Sequence, residues 1–238
     1  MSTALVLAAG LATRLGSLRE RYAKACVPVA GTTPLAFVLQ RLHAAGVQRA
    51  WVNLHHHGEQ VQAEAERSAP PGLELHFLEE ARLLGTGGSL LAVAEGDGSL
   101  PDLVVNAKIF TDFDFGRALA APASAVVLHP PGDLALFGGL RHDGAGRVTG
   151  LRTAGPPSSE AGTAVFTGIS RPSTSWLPAL AAAARARPKD AVCLVRDGLL
   201  PALQNGADVR ALLHAGLWLE VSTPERVAAA APAVRRLA

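Results

Sequence analysis

Cysteine is scarce in this chain: two residues, Cys26 and Cys193, stand far apart among 238. That excludes a disulfide or zinc framework and predicts small, buried thiols in a reduced protein. Charge is also sparse, at 18% Asp, Glu, Lys and Arg, with a formal net charge of +2. So even a balance excludes a nucleic-acid binder held by bulk electrostatics. The apolar run that follows Met1-Ser2-Thr3 has no basic region before it and is too short to span a bilayer. It does not look like a signal peptide, so a cytoplasmic protein without membrane contact is expected. No internal repeat, low-complexity tract or linker interrupts the sequence. Apolar residues, by contrast, make up 49% of the chain, enough to bury a large core.

Residues 4–8 form a continuous apolar run ending near Gly10, as in a strand buried on both faces. A long polar loop is expected over 11–32. Thr33 and Pro34 then open a helix as N-cap and first helical residue, with Leu35, Val38, Leu39 and Leu42 on one face and Gly46 at its end. Strands are expected at 50–54, 73–78 and 103–106, and helices at 58–67 and 88–94. This alternation implies a parallel sheet wound by right-handed crossovers. After about residue 123 the pattern changes. A strand at 125–128 precedes a hairpin of 134–140 and 147–151 around Asp143-Gly144-Ala145-Gly146. Further strands are expected at 163–169 and 209–213, with Ala- and Leu-rich helices, and Thr223-Pro224 repeats the helix-start signal. The expected fold is a single α/β domain over 1–238: a doubly wound, mostly parallel, Rossmann-like sheet with flanking helices and a small β-hairpin extension.

Leu7-Ala8-Ala9-Gly10-Leu11-Ala12-Thr13-Arg14-Leu15 follows the first strand directly. In an open parallel sheet the ligand crevice lies beyond the carboxyl ends of the strands. A small-residue loop there can aim backbone N–H groups at an anion. Ala9, Gly10 and Ala12 leave the backbone approachable. Arg14 offers phosphate oxygens a planar fork and Lys24 a point charge. Taken alone, the loop reads equally well as a tight turn with both cations solvated. A dinucleotide-binding loop would need further glycines and an acidic end to strand two, which here reads Val52-Asn53-Leu54. The Gly-Lys-Ser or Gly-Lys-Thr of a Walker A loop is missing too.

The loop, the spacing from Gly10 to Arg14 to Lys24, and Val27-Pro28-Val29-Ala30-Gly31 resemble the signature of the sugar-1-phosphate nucleotidyltransferases. Their pattern is L-A-A-G-x-G-T-R-L, then Pro-Lys, then P-V-x-G-K-P. Asn53-Leu54-His55-His56 is similar to a stretch of the N-acetylmuramate-1-phosphate uridylyltransferases, and the mannose-1-phosphate guanylyltransferase type is also close. Glu80 with Leu84-Gly85-Thr86-Gly87-Gly88 looks like the family's nucleobase and sugar loop. Phe166-Thr167-Gly168-Ile169 looks like its F-x-G-I strand. Trp218-Leu219-Glu220-Val221-Ser222-Thr223-Pro224-Glu225-Arg226 looks like its closing W-x-D-V-G-T-P-E-R.

The resemblance implies a GT-A-like nucleotidyltransferase that joins a nucleoside triphosphate and a sugar 1-phosphate into a nucleotide sugar and pyrophosphate. A sugar phosphate oxygen attacks the α-phosphorus in line, and the protein positions the two anions and stabilises charge. The implied nucleotide-binding half is about 1–123 and the sugar-binding half about 124–238. Ala8, Ala9, Gly10, Ala12, Thr13, Glu80, Gly85, Thr86 and Gly87 are the implied nucleotide binders. Asn106, Glu160 and Gly168 are implied at the sugar, and Arg14 and Lys24 as charge stabilisers. Mg²⁺ is the implied cofactor, held in the family by an Asp of N-G-D and the Asp of W-x-D-V-G.

Both metal motifs depart from that pattern. The first reads Asn106-Ala107-Lys108 and the second Trp218-Leu219-Glu220, while Ser222 and Ala12 each replace a glycine. Glu220 keeps a carboxylate in a family position and can bind a metal through a longer arm. Lys108 has donors only and repels a cation. Three readings of Lys108 stand. Its ammonium substitutes for Mg²⁺ as a catalytic group. Alternatively the chain is a non-catalytic nucleotide or nucleotide-sugar binding homologue, a regulatory or structural subunit. In the third reading Lys108 swings to solvent and pairs with Asp112 or Asp114. Those two aspartates are otherwise expected to cap a helix starting near Phe115. His55, His56 and His57 point in alternate directions on a strand end and cannot share one metal. The Ala- and Leu-rich helices near the C-terminus permit a homodimer or pairing with an active paralogue.

Overall fold

The computed structural model describes residues 1–130, 134–152 and 162–237. In chain order the elements are β1 (Thr3–Leu7), α1 (Leu18–Arg21), a 3₁₀ turn (Lys24–Cys26), α2 (Pro34–Ala44), β2 (Arg49–Leu54), α3 (Gly58–Ser68), β3 (Glu74–Glu79), α4 (Gly85–Asp97) and β4 (Leu103–Asn106). They continue with β5 (Ile109–Thr111), α5 (Phe115–Ala120), β6 (Ala125–His129), α6 (Leu134–Phe137), β7 (Gly139–His142), β8 (Val148–Arg152) and β9 (Thr163–Arg171). A 3₁₀ turn (Thr174–Trp176), α7 (Leu177–Ala186), a π-helical segment (Leu194–Leu199), α8 (Leu200–Gln204), β10 (Arg210–Leu213), β11 (Trp218–Glu220) and α9 (Pro224–Val234) complete the series. The architecture is a mostly parallel sheet with flanking helices, as the strand–helix alternation predicts. Two compact units divide the chain: Met1–Leu83, Val105–Gly116 and Gly216–Ala238 make the first, Leu84–Val104 and Arg117–Ala215 the second.

In the first unit β2 pairs in parallel with β1 (Val6↔Val52) and with β3 (Leu54↔Glu79), so the carboxyl ends of all three open on one side. Ala4, Leu5 and Val6 are fully buried. Thr33 Oγ1 accepts from Ala36 N–H at 3.1 Å to cap α2, with Pro34 next. Leu35, Val38, Leu39 and Leu42 are all buried, and Phe37 meets Phe110 of β5 with ring centroids 5.1 Å apart. The expected polar loop over 11–32 is more structured than its composition suggests. It holds α1 and a 3₁₀ turn, because Ala12, Leu15 and Val27 make a small core with Leu18, Tyr22 and Val227. A two-stranded antiparallel sheet was not expected from the sequence: β11 pairs β5, with Trp218↔Thr111 and Glu220↔Ile109. Strands this short carry too few residues for an alternating pattern to register.

In the second unit β6 runs parallel to β10 (Val127↔Leu212) and antiparallel to β9. The register shifts between Val126 and Leu128, opposite the stretch of β9 that contains Gly168. Gly168 has φ +84°, a left-handed conformation suited to glycine. The hairpin forms from β7 and β8, with Asp143 Oδ1 accepting from Ala145 N–H at 2.9 Å and Arg147 N–H at 2.8 Å. Its first arm is shorter than expected, since 134–137 is a helical turn and not strand. Trp176 lies in the core and donates from Nε1 to Ser124 Oγ at 3.0 Å. Among the described residues no helix is long and apolar enough to cross a membrane.

Candidate functional site

In the first unit the turn after β1 is anchored by a buried amide at the end of β2. Asn53 Oδ1 accepts from Ala8 N–H at 2.6 Å and Ala9 N–H at 3.1 Å, and Asn53 Nδ2 donates to Glu80 Oε1 at 2.8 Å. Two donors on one side and a carboxylate on the other fix which way the amide faces. The Ala8 and Ala9 amides thereby tie the loop to β2. Glu80 is buried as well, and its carbonyl oxygen bonds His55 Nδ1 at 2.8 Å. Glu80 thus supports the loop through Asn53 and also borders the cleft beyond β2 and β3.

The loop opens beyond this anchor. Gly10 is exposed, and a Cβ added there would meet nothing within 4 Å. Ala12 has φ +55°, where glycine is the easier residue, and Leu15 N–H donates to its carbonyl at 3.0 Å. Arg19 Nε donates to Leu11 O at 2.8 Å and fixes the far side of the turn. Thr13 and Arg14 are exposed. Farther along, Gln60 of α3 accepts from Ala23 N–H at 2.6 Å and donates to Arg21 O at 3.0 Å, holding the segment that presents Lys24.

Four charged side chains converge in this unit. Lys108 Nζ donates to Glu220 Oε1 at 2.5 Å, and Arg14 Nη2 lies 3.7 Å from the same oxygen. Ser222 Oγ, fully buried, donates to Glu220 Oε2. The β5–β11 pairing brings these groups together, with Val221 N–H donating to Lys108 O at 2.9 Å. The Glu220 side chain is 2% exposed, against 31% for Lys108 and 46% for Arg14. Burial alone would raise the Glu220 pKa. The ion pair and hydrogen bond from Lys108, the Ser222 hydroxyl and Arg14 outweigh it and hold the carboxyl below its ordinary range. Lys24 belongs to the same electrostatic neighbourhood. Burial first, then Lys108 and Arg14, push its pKa down to about 8, with Glu220 pulling the other way. Lys108 therefore faces Glu220, and not Asp112 or Asp114. Asp114 caps α5 through Gly116 N–H at 2.8 Å.

A magnesium ion does not fit this donor set. Mg²⁺ needs carboxylate oxygens at roughly 2.0–2.1 Å in near-octahedral order. Both Glu220 oxygens already accept from an ammonium and a hydroxyl, and Lys108 brings donors and positive charge. Among the described residues no group of three or more His, Cys, Asp and Glu side chains could hold a metal ion. His55 Nδ1 bonds Glu80 O and His57 Nε2 bonds Arg19 O at 2.9 Å, while the His56 and His57 rings lie with centroids 4.2 Å apart.

The other expected binders are placed as follows. Asn106 ends β4, half-buried. In the second unit the glycines of α4 serve close packing. A Cβ on Gly85 would come within 2.5 Å of Val192 O, and one on Gly87 within 2.5 Å of Leu180 Cδ2. Val192 O accepts from Gly87 N–H at 2.9 Å, and Thr86 Oγ1 accepts from Leu194 N–H at 2.9 Å. This is why α4 begins at Gly85, earlier than expected. Glu160 lies outside the described residues. Beyond the ends of β2 and β3 in the first unit is an open cleft of about 700 Å³, bordered by His55, His57, Gln60, Glu79 and Glu80. Sequence reasoning overlooked Asn53, Gln60 and, as a partner of Glu220, Ser222. Asn53 stood in plain sight at the strand end, but there it counted as a missing acid and as part of a family motif, with no role as an anchor.

Comparison with known proteins bears on this arrangement. Residues 4–218 match the family model described as the MobA-like NTP transferase domain. The chain is 35% identical over 125 residues to the N-acetylmuramate alpha-1-phosphate uridylyltransferase of Caulobacter vibrioides, covering 51% of this chain and 52% of that protein. It is 30% identical over 173 residues to the mannose-1-phosphate guanylyltransferase of Mycobacterium tuberculosis, covering 68% and 48%. The chain thus spans about half the length of these curated relatives. The crystal structure of HddC from Yersinia pseudotuberculosis complexed with GMP-PN superposes with a TM-score of 0.74 at 20% identity, covering 98% of this chain and 100% of that one, a likeness of fold.

Proposed function

The chain belongs to the MobA-like NTP transferase family, and from that membership we propose that it is a sugar-1-phosphate nucleotidyltransferase. It joins a nucleoside triphosphate to a sugar 1-phosphate, giving a nucleotide sugar and pyrophosphate. The observation that carries this reading is the convergence of Arg14, Lys24 and Lys108 around one buried carboxylate, in the unit whose strand-end loop is anchored by Asn53. Three cations against one anion leave a surplus positive charge where two phosphorylated substrates must be brought together.

The triphosphate lies along the open part of the loop, over Gly10 and Ala12 and beside Thr13, with Arg14 and Lys24 on its oxygens. Asn53 and Glu80 keep the turn rigid, so its shape is set before the ligand arrives. A phosphate oxygen of the sugar 1-phosphate attacks the α-phosphorus in line. The bond from that phosphorus to the oxygen bridging the β-phosphorus breaks, and pyrophosphate leaves with the electron pair. The cations stabilise the charge on the departing oxygens. The cleft beside β2 and β3 has room for a nucleobase, with Glu79, His55 and the neighbouring backbone offering hydrogen bonds. Asn106, Gly168 and Glu160 are the residues proposed for the sugar side, and Gly85, Thr86 and Gly87 remain proposed neighbours of the nucleotide.

A second reading has an observation of its own. Both oxygens of Glu220 are taken by the chain itself, which also suits a pocket that binds a nucleotide or nucleotide sugar and no longer turns over. One assay separates the two. The protein is incubated with each nucleoside triphosphate and a panel of sugar 1-phosphates, and pyrophosphate is measured with and without Mg²⁺. Pyrophosphate release supports the transferase. Nucleotide binding without release supports the binding homologue, and neither binding nor release overturns both.

A further inference from the structure

The three departures from the family's metal motifs, at positions 108, 220 and 222, are one connected device. The ammonium of Lys108 meets Glu220 Oε1, and the hydroxyl of Ser222 meets Oε2. The longer glutamate spans the distance from β11 to Lys108, just ahead of β5, and the serine fixes its far oxygen. A family-type Asp and Gly at those two places would supply neither the reach nor the second bond. Resting on the nucleotidyltransferase-type reading of this site, we propose that the Lys108 ammonium is its resident cation and that the site takes the free, unchelated form of a nucleoside polyphosphate.

Three observations carry this. The Lys108–Glu220 pair is set by paired strands, since Glu220 lies opposite Ile109 and Val221 N–H bonds Lys108 O. An incoming ion must displace a tethered group that never leaves the neighbourhood. Second, the order of exposure is that of an anion site. Glu220 is 2% exposed, beneath Lys108 at 31% and Arg14 at 46%. A ligand from solvent meets the cations first, and the carboxylate holds them from behind. Third, charge decides which form of the ligand suits the site. Arg14, Lys24 and Lys108 outnumber Glu220, so without a metal the site is already positive. An unchelated triphosphate carries more negative charge than its magnesium complex, and the surplus cations favour the more charged form. In a site built around a bound metal the preference has the opposite sign.

The test is calorimetric titration of the full chain with UTP and with GTP, first in EDTA and then with MgCl₂ in excess over nucleotide. One of the two is expected to bind in EDTA and to bind about threefold or more weakly once chelated. Lys108→Met should weaken binding in EDTA about tenfold or more, because a charge-assisted contact is lost. Lys108→Asp should abolish binding in EDTA and make binding depend on Mg²⁺. Circular dichroism melts check that each variant folds. If the aspartate beside Glu220 prevents folding, Lys108→Met and Lys108→Gln decide. Binding by the natural chain that is equal or tighter with Mg²⁺ overturns the proposal and leaves the nucleotide reading in place. So does unchanged affinity of Lys108→Met in EDTA. Binding of no nucleoside triphosphate under either condition, with ATP, CTP and dTTP titrated as well, overturns the reading on which the proposal rests.

Discussion

Lys24 is asked to be charged in a place that disfavours charge. Its pKa falls from 10.5 to about 8 through burial and the nearness of Lys108 and Arg14, with Glu220 opposing. Between those two values the unfolded chain holds a proton that the folded chain has released, so stability rises with pH across that window. Anion binding, which uses the charge, runs the other way and weakens as pH passes 8. Lys24→Met is therefore expected to melt higher than the natural protein near neutral pH and to bind nucleotide more weakly. Its affinity should also lose most of its dependence on pH between about 6.5 and 9, as followed by parallel melts and titrations. Asn53 gives a second prediction. Asn53→Ala strands two amide groups in the interior and removes a bond to the Glu80 carboxylate, a loss of about 2–4 kcal/mol in denaturant unfolding, and nucleotide affinity should fall with it. Much of the site was legible at this scale, since Arg14, Lys108 and Glu220 meet and Lys24 stands beside them. Less legible was the anchor. Asn53 ties Ala8, Ala9 and Glu80 together, and that side-chain amide comes from a strand distant in sequence from the loop.

At the level of elements, propensity signals that act locally read well and those that depend on a distant partner read poorly. The Thr-Pro starts of α2 and α9 are capped as expected, by Thr33 on Ala36 N–H and Thr223 on Arg226 N–H. The β5–β11 pair escaped notice because neither strand has enough residues to announce itself, and each needs the other. The glycines at the start of α4 were legible as small but not as packed, since Val192 and Leu180 arrive from far along the chain. One turn carries a correctable local mismatch. Val29 and Thr32 exchange both backbone hydrogen bonds, at 2.8 and 3.1 Å, around Ala30 with φ +51° and Gly31 with φ +90°. Two positive φ values in a row call for Asn-Gly, and Ala30 is exposed, so no packing opposes the change. Ala30→Asn should raise stability by about 0.5–1 kcal/mol, read as a higher midpoint in urea at unchanged slope.

The whole molecule shows that chain order and spatial units do not coincide. Sequence alternation located the small-residue loop after β1 and the change of pattern after α5. It did not show that the first compact unit recovers residues from the end of the chain, Gly216–Ala238. Hydrophobic periodicity describes segments and says nothing of which distant segment returns to complete them. A chain stopped after Ala215 loses β11 and α9, and with them Glu220, Ser222 and the Val227 side of a small core. Such a chain is expected to melt less cooperatively than the full protein, with early amide exchange in β5, measured by hydrogen exchange and circular dichroism. The separation of Lys108 from Glu220, 112 positions, has a consequence in time. At the usual pace of synthesis, the carboxylate emerges from the ribosome roughly 6–20 s after the ammonium it will meet. A translation product abandoned during that interval carries the basic half of the grip without its acidic counterweight.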